Sequence, residues 1–458
     1  MSTIRGGLGR AFAALLSSVM LLGLLGTTGA AAATTTDAWQ ARVGRSGVNG
    51  TARINRYVDG TGATVYKLKG MRASTTLPVT VHRGTCSSVG AVVARLASVR
   101  SSSSGAVSRT VAITAAQMKP IAAAGAGAGK LAIRVGSGSS IRCGAFARQG
   151  VAPYVAARVT VGGLPQGVAV DGDNVYVSNW YDNSVSRISA STNAVTATIP
   201  VVLTGNAGPQ VIAVAAGSLW VATTEWDASN NPLPGSLVRI DPATGAALAT
   251  LPIGEDAASI AVSPGYVWVR GVGGSILKID VATNQVVATI STSGRPYGLA
   301  YGEGAIWVSS PNESKVHRID PATNQVVASV TTQLPAAGLA AGGGAIWAMH
   351  PALPDTPTGL VSRIDPLANS VATTIAAGIE PYYGTFAGGS LWVSLNGEPT
   401  VLRISPATNA ITARIAVSGP SWEIASSATS VWVVQPNLPP AGTLVIPLPA
   451  GTVTRIGF

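Results

Sequence analysis

Most of the chain alternates apolar and polar positions in short runs, broken every few residues by Gly, Pro or Asn. Period-two alternation predicts half-buried strands rather than helices. In the first third it predicts strands over Thr51–Val58 and Ala63–Leu68, joined by the hairpin turn Asp59-Gly60-Thr61-Gly62. Further strands are expected at Pro78–His82 and Leu131–Val135, and one short helical turn at Thr114–Met118.

From residue 158 onward the pattern repeats. One unit runs Tyr297–Tyr301, Gly304–Val308, Val316–Asn324, Val326–Val330. The aromatic of its second segment recurs at Tyr176, Trp220, Trp268, Trp307, Trp347, Trp392 and Trp432, at gaps of 44, 48, 39, 40, 45 and 40 residues. A basic residue of the third segment recurs at Arg187, Arg239, Lys278, Arg318, Arg363 and Arg403; in the seventh unit Val445-Ile446 is aligned there instead. Four short strands per unit, a to d, at this spacing predict propeller blades, and seven units predict a seven-bladed ring. The fold class expected is therefore all-β: a small N-terminal β-sandwich followed by a seven-bladed β-propeller. Two segments read as outer d strands, Ala157–Val161 and Thr452–Ile456. Either completes the last blade, and the N-terminal one is preferred because it tethers the chain ends and removes a sheet edge.

Composition divides the chain further. Arg5 and Arg10 precede an apolar run from Ala11 to Leu25, followed by small residues up to Ala33. This is the pattern of a secretory leader, residues 1–33. Later apolar runs are too short to cross a membrane. Residues 38–148 form the sandwich, 149–157 a linker and 158–458 the propeller. The net charge of +11 is uneven. Residues 34–157 carry 16 Lys and Arg against Asp37 and Asp59, whereas residues 158–458 carry 12 against 17 acids. Export makes a disulfide the natural state of the only two cysteines, Cys86 and Cys143.

Two resemblances bear on this reading. Asn174–Asn179, Ser184–Ile188 and Thr192–Ile199 resemble the YVTN family of propellers. The repeats are also similar to those of streptogramin-inactivating lyases, which implies chemistry by His with an acidic partner on the channel face. In the N-terminal part, Val79–Cys86 with its His82, Gly84 and Cys86, then Gly90–Leu96, then Leu131–Val135 with Cys143-Gly144, resembles the chordin-type extracellular β-sandwich. His82 is expected as an exposed strand-end residue and not as a metal ligand.

Topology sorts the candidate residues. The c–d turns are near copies, such as Asp241–Gly245 and Asp320–Asn324. Their Asp is expected to bond its own turn, the repeated Trp to be core, and the repeated Arg to act between blades. The opposite face varies, as recognition surfaces do. The residues opening the a strands are aligned as Gln166, Gln210, Ala258, Tyr297, Ala337, Tyr383 and Trp422. The b–c loops add Trp180, Tyr181 and Asp182, then Glu225, Trp226 and Asp227, then Arg270, Glu313, His350 and Glu398. Of these, Gln166, Trp180, Gln210, Trp226, Tyr297, Tyr383 and Trp422 form the expected ligand site. Aromatic and amide groups around a channel mouth suit a small molecule, a glycan or a protein.

No nucleophile elbow, metalloprotease helix, phosphate loop or paired-cysteine metal motif is present. The expected function is a secreted, non-catalytic binding propeller. It needs no cofactor or metal and reads no nucleic acid, and its basic domain suits an anionic cell-envelope polymer. The alternative is a lyase or hydrolase using His350 with Glu313 or Glu398.

Overall fold

The computed structural model describes residues 35–44, 48–57, 61–84, 86, 88–125, 131–136, 142–149, 153–201, 206–226, 232–254, 259–353, 357–437 and 449–458. The expected leader, Val445-Ile446, Ala258 and Asp227 lie outside them. The chain divides into two compact units between Tyr154 and Val155, within the segment read as the linker. Both are all-β.

The N-terminal unit contains β1 (Thr35–Gly44), β2 (Val48–Tyr57), β3 (Gly62–Leu68), β4 (Thr76–Gly84), β5 (Val89–Arg100) and β6 (Val107–Ile113). The helix α1 (Ala115–Gly125) follows, then β7 (Leu131–Val135) and β8 (Arg142–Gln149). The layers of the sandwich are one continuous antiparallel sheet in the order β5-β4-β7-β8-β1-β2-β3-β6. Its edge strands β5 and β6 approach one another, so the sheet curls around a single core that includes Ile54, Tyr66, Leu77, Val81 and Ile133. Met118 and Ile121 of α1 close that core, which makes the helix a longer element than the single turn expected. His82 is not an exposed strand-end residue. It is 7% exposed. Its Nδ1 donates to Gly90 O at 3.1 Å, and its Nε2 lies 2.8 Å from Thr80 Oγ1. Cys86 and Cys143 form the disulfide, joining the loop after β4 to β8 and closing a span of 57 residues.

The second unit is a seven-bladed propeller. Six blades take all strands from consecutive sequence, and blade 2 adds a two-residue strand, Pro232–Leu233. The inner strands are Pro165–Asp171, Asn206–Ala215, Ile260–Ser263, Leu299–Gly302, Leu339–Ala341, Pro381–Ala387 and Ile424–Ser426. Each touches the next, and the last touches the first, which closes the ring. The cores lie between blades rather than within them. Val185 and Ile199 of blade 1 pack with Leu219 and Val238 of blade 2, and Trp432 and Val453 of blade 7 pack with Val175 and Ile188 of blade 1.

Blade 7 corrects one reading. Thr452–Ile456 lies in a c strand, Ala450–Gly457, not a d strand. The outer strand is β9 (Tyr154–Gly163), supplied from before blade 1. Arg455 pairs with Trp432 as Arg403 pairs with Trp392. The seventh basic residue therefore exists. Blade 7 draws its c strand from the segment whose sequence reads as d.

These cations join the blades. Six of them stack over the indole of their own blade, from 5.1 Å for Lys278 over Trp268 to 5.6 Å for Arg363 over Trp347. In five of them a terminal nitrogen then reaches the c–d turn of the next blade. Arg363 Nη1 donates to Pro406 O at 3.0 Å and Asn409 Oδ1 at 3.1 Å. Arg318 meets Pro366 O and Asn369 Oδ1, Lys278 meets Pro321 O and Asn324 Oδ1, and Arg239 meets Val281 O and Asn284 Oδ1. Arg455 meets Ala190 O and Asn193 Oδ1 of blade 1, so the same clasp closes the ring. The turn asparagine has two tasks. It takes positive φ, as at Asn324 (57°) and Asn409 (52°), and it accepts the neighbour's cation. Blade 2 has Gly245 at that place (φ 75°), and Arg187 of blade 1 makes only a longer bond to Pro242 O, 3.4 Å. The repeated Asp bonds its own turn, as Asp241 Oδ1 does with Ala243 N at 2.8 Å.

Arg363→Met keeps the aliphatic stem but removes the clasp. It should lower the stability of the propeller by about 1–3 kcal/mol, and Arg187→Met should cost less. Urea denaturation followed by tryptophan fluorescence measures both.

Candidate functional site

The ring of inner strands is tight where glycine occurs. A Cβ on Gly298 would lie 2.3 Å from Ala337 O, and one on Gly338 would lie 2.2 Å from Tyr382 O. The position nine residues before the blade aromatic therefore faces the neighbouring inner strand at backbone distance. Around the ring it is Gly167, Val211, Ser259, Gly298, Gly338, Tyr383 and Glu423. Small residues there let strands meet through polar links. Ser309 Oγ donates to Ala337 O at 2.6 Å, Leu299 N donates to Ser259 Oγ at 3.1 Å, and Gly338 N donates to Tyr382 O at 3.1 Å.

Blades 6 and 7 break the pattern with a phenol and a carboxylate. Glu423 reaches across the joint to blade 1, where Val168 N donates to its Oε2 at 3.1 Å. Gly167 leaves room for it, because a Cβ there would lie 2.7 Å from the same oxygen. Ser178 Oγ meanwhile bonds Gln210 O at 2.8 Å and holds blade 1 to blade 2.

The preceding position is the one that opens each a strand: Gln166, Gln210, Ala258, Tyr297, Ala337, Tyr382 and Trp422. In blade 6 it is Tyr382, not Tyr383. Pro381 and Tyr383 flank a bulge, and Tyr383 pairs with Ser394 as Gly298 bonds Ser309. Tyr382 Oη donates to Tyr297 Oη at 2.9 Å, with ring centroids 5.9 Å apart at 75°. The contact passes over the small Ala337 of blade 5. The Tyr382 and Tyr383 rings lie 5.0 Å apart. All of these side chains are half-buried, as are Gln166, Gln210 and Trp422.

The electrostatics are one-sided. Desolvation pushes the Glu423 carboxyl up to about 8, with the Val168 amide opposing it. Desolvation also raises Glu380, in the loop before Tyr382. The phenols of Tyr382 and Tyr383 are pushed far up, first by burial and then by neighbouring phenol and carboxyl groups. The Oε1 of Gln210 is buried without a hydrogen-bond partner. No lysine or arginine shifts either carboxyl.

The remaining expected site residues lie elsewhere. The Trp180 indole packs on Gly208, and its Nε1 donates to Thr224 Oγ1 at 2.9 Å, so it wedges blade 1 against blade 2. Trp422 packs against the core between blades 7 and 1. Trp226 ends a b strand, and its side chain, like that of Glu225, lies outside the described residues. Asp182 accepts from Gly163 N at 2.7 Å, and Arg270 is 2% exposed.

His350 is not available on the channel face. It is fully buried. Its Nδ1 donates to Leu334 O at 2.8 Å, and its Nε2 accepts from Ser362 Oγ at 2.9 Å. The side chain ties the b strand to the d–a connection, as Gln435 does in blade 7 by donating to Gly419 O. Burial lowers its proton affinity. Glu313 sits instead with Ser293 Oγ at 2.8 Å, His317 Nε2 at 3.7 Å and Lys315 at 3.6 Å. Glu398 lies 3.9 Å from Arg414 and accepts from Ile379 N. The structure does not bring the three catalytic candidates together. Among the described residues no three His, Cys, Asp or Glu side chains cluster as a metal site, and no helix is long and apolar enough to cross a membrane.

No protein-family model matches the chain, and no curated protein matches it.

A carboxyl that ionises near 8 in the folded chain ionises near its ordinary value when unfolded. Between those values the folded state holds a proton the unfolded state has lost, so stability falls as pH rises. Glu423→Gln keeps an acceptor for Val168 N. It should melt higher than the parent at pH 8 and close to it at pH 4, as read by thermal denaturation.

Proposed function

We propose that this is an exported, non-catalytic binding protein whose propeller takes a small ligand on the inner ring between blades 4 and 7. The observation that carries the reading is the asymmetry of that ring. Glycine or a small side chain stands at the close-approach position of most blades, while Tyr383 and Glu423 stand there in blades 6 and 7. A ring selected only for closure gains nothing from a desolvated carboxyl, whereas a binding site gains a convergent polar group among aromatic surfaces.

Residues 1–33 with the pattern of a secretory leader, and the Cys86–Cys143 disulfide, support export. The likeness of the repeats to YVTN propellers and of residues 38–148 to chordin-type sandwiches agrees with an extracellular setting. The N-terminal unit holds the protein on an anionic envelope polymer. Arg53, Lys67, Arg95 and Arg109 are exposed on its strands, in a stretch with only two acids.

A thermal-shift screen of the full chain should find compounds whose stabilisation is weakened at least tenfold in Tyr297→Ala. Hits that bind this variant unchanged would remove the site. On isolated envelope or a polyanionic resin, the protein should elute with rising salt, and earlier when Arg53, Lys67 and Arg95 are changed to Gln. Retention that ignores salt would contradict the electrostatic attachment.

A further inference from the structure

We infer that the ligand of the inner ring is an organic cation carrying an alkylammonium group, with Glu423 as its counter-ion and the rings of Tyr297, Tyr382 and Tyr383 as its walls. This rests on the binding reading above and names the chemistry of that site.

Around Glu423 the described residues of the ring offer acceptors and π faces, and no basic group acts on its carboxyl. Glu423 uses Oε2 for Val168 N and presents the rest of its carboxyl to the half-buried interior. Tyr382 donates its hydroxyl proton to Tyr297, and the Tyr297 hydroxyl also bonds Tyr383. An anionic ligand would meet two carboxyls, Glu380 and Glu423, neither shifted by a basic group. A neutral apolar ligand would leave the carboxyl unmet. An ammonium group satisfies the carboxyl by charge and the phenol rings by cation–π attraction.

Binding then carries a proton cost. The groups facing Glu423 are few. Tyr382 and Tyr383 come from the inner strand of blade 6, and both stay protonated. Asp171 stands at the far end of the inner strand of blade 1, and the b strand Ser430–Gln435 carries no titratable group. Below its own titration Glu423 must release its proton to water as the cation enters, so affinity rises with pH and levels off once the free site is ionised.

Isothermal titration of the full chain tests this with choline and its neutral isostere 3,3-dimethyl-1-butanol, at pH 6, 7, 8 and 9. Choline should bind at least tenfold more tightly than the isostere. Its affinity should climb by about tenfold per unit at the acid end and flatten above pH 8. Glu423→Gln should bind choline at least tenfold more weakly, with no pH dependence. Equal binding of both probes, or Glu423→Gln binding like the parent, would overturn the cation assignment. If neither probe binds while another screened compound is weakened by Tyr297→Ala, the cation assignment falls and the binding site stands. If no compound of any charge is weakened by Tyr297→Ala, both fall.

Discussion

Each blade is a four-stranded sheet with apolar residues on both faces, and a single sheet cannot cover either one. Only another blade can, which makes ring closure the condition for every core in the propeller. The stacked indoles are fully buried, and five of the Arg or Lys side chains over them grasp the c–d turn of the next blade. The cation is stacked on one blade and hydrogen-bonded to another, so it reports the geometry of both. Arg455 performs this task across the joint between blades 7 and 1. The ring is thereby closed twice, by that clasp and by β9 as the outer strand of blade 7.

At the inner ring the same closure has the opposite effect. Strands converge until backbone carbonyls stand where side chains would begin, and glycine is the simplest answer. A large or charged group there is tolerated only where the neighbour yields space, as Gly167 does for Glu423. The candidate face is therefore a local departure from the rule that builds the rest of the ring. Burial without a basic partner holds its carboxyl protonated to a higher pH than usual. Its tyrosines meet because blade 5 contributes only Ala337 between Tyr297 and Tyr382.

The candidate residues on loops fared differently from those on strands. Trp180 and His350 look like recognition groups in sequence, since each follows or ends a b strand near variable loops. In space Trp180 seals a joint between two blades, and His350 secures a loop through Leu334 O and Ser362. Both are polar side chains with their partners already inside the fold. Glu423 was passed over because it neighbours the more conspicuous Trp422, although its exchange against Gly167, Gly298 and Gly338 in the repeat was a signal of its own.

Blade number, strand type, turn chemistry and the cysteine pair were legible in the sequence because they depend on local periodicity and on repeated copies. The place of Tyr382 was legible too, since it stands ten residues before Trp392 as Tyr297 stands before Trp307, and Tyr383 breaks that count. Strand exchange between the chain ends was only half legible. Ala157–Val161 was recognisable as an outer strand, but the c identity of Ala450–Gly457 depends on which strand lies beside it. The site itself was decided by tertiary structure alone. A carboxyl becomes a poised acid, and three phenols a wall, only when blades distant in sequence converge around one axis and exclude water from the space between them.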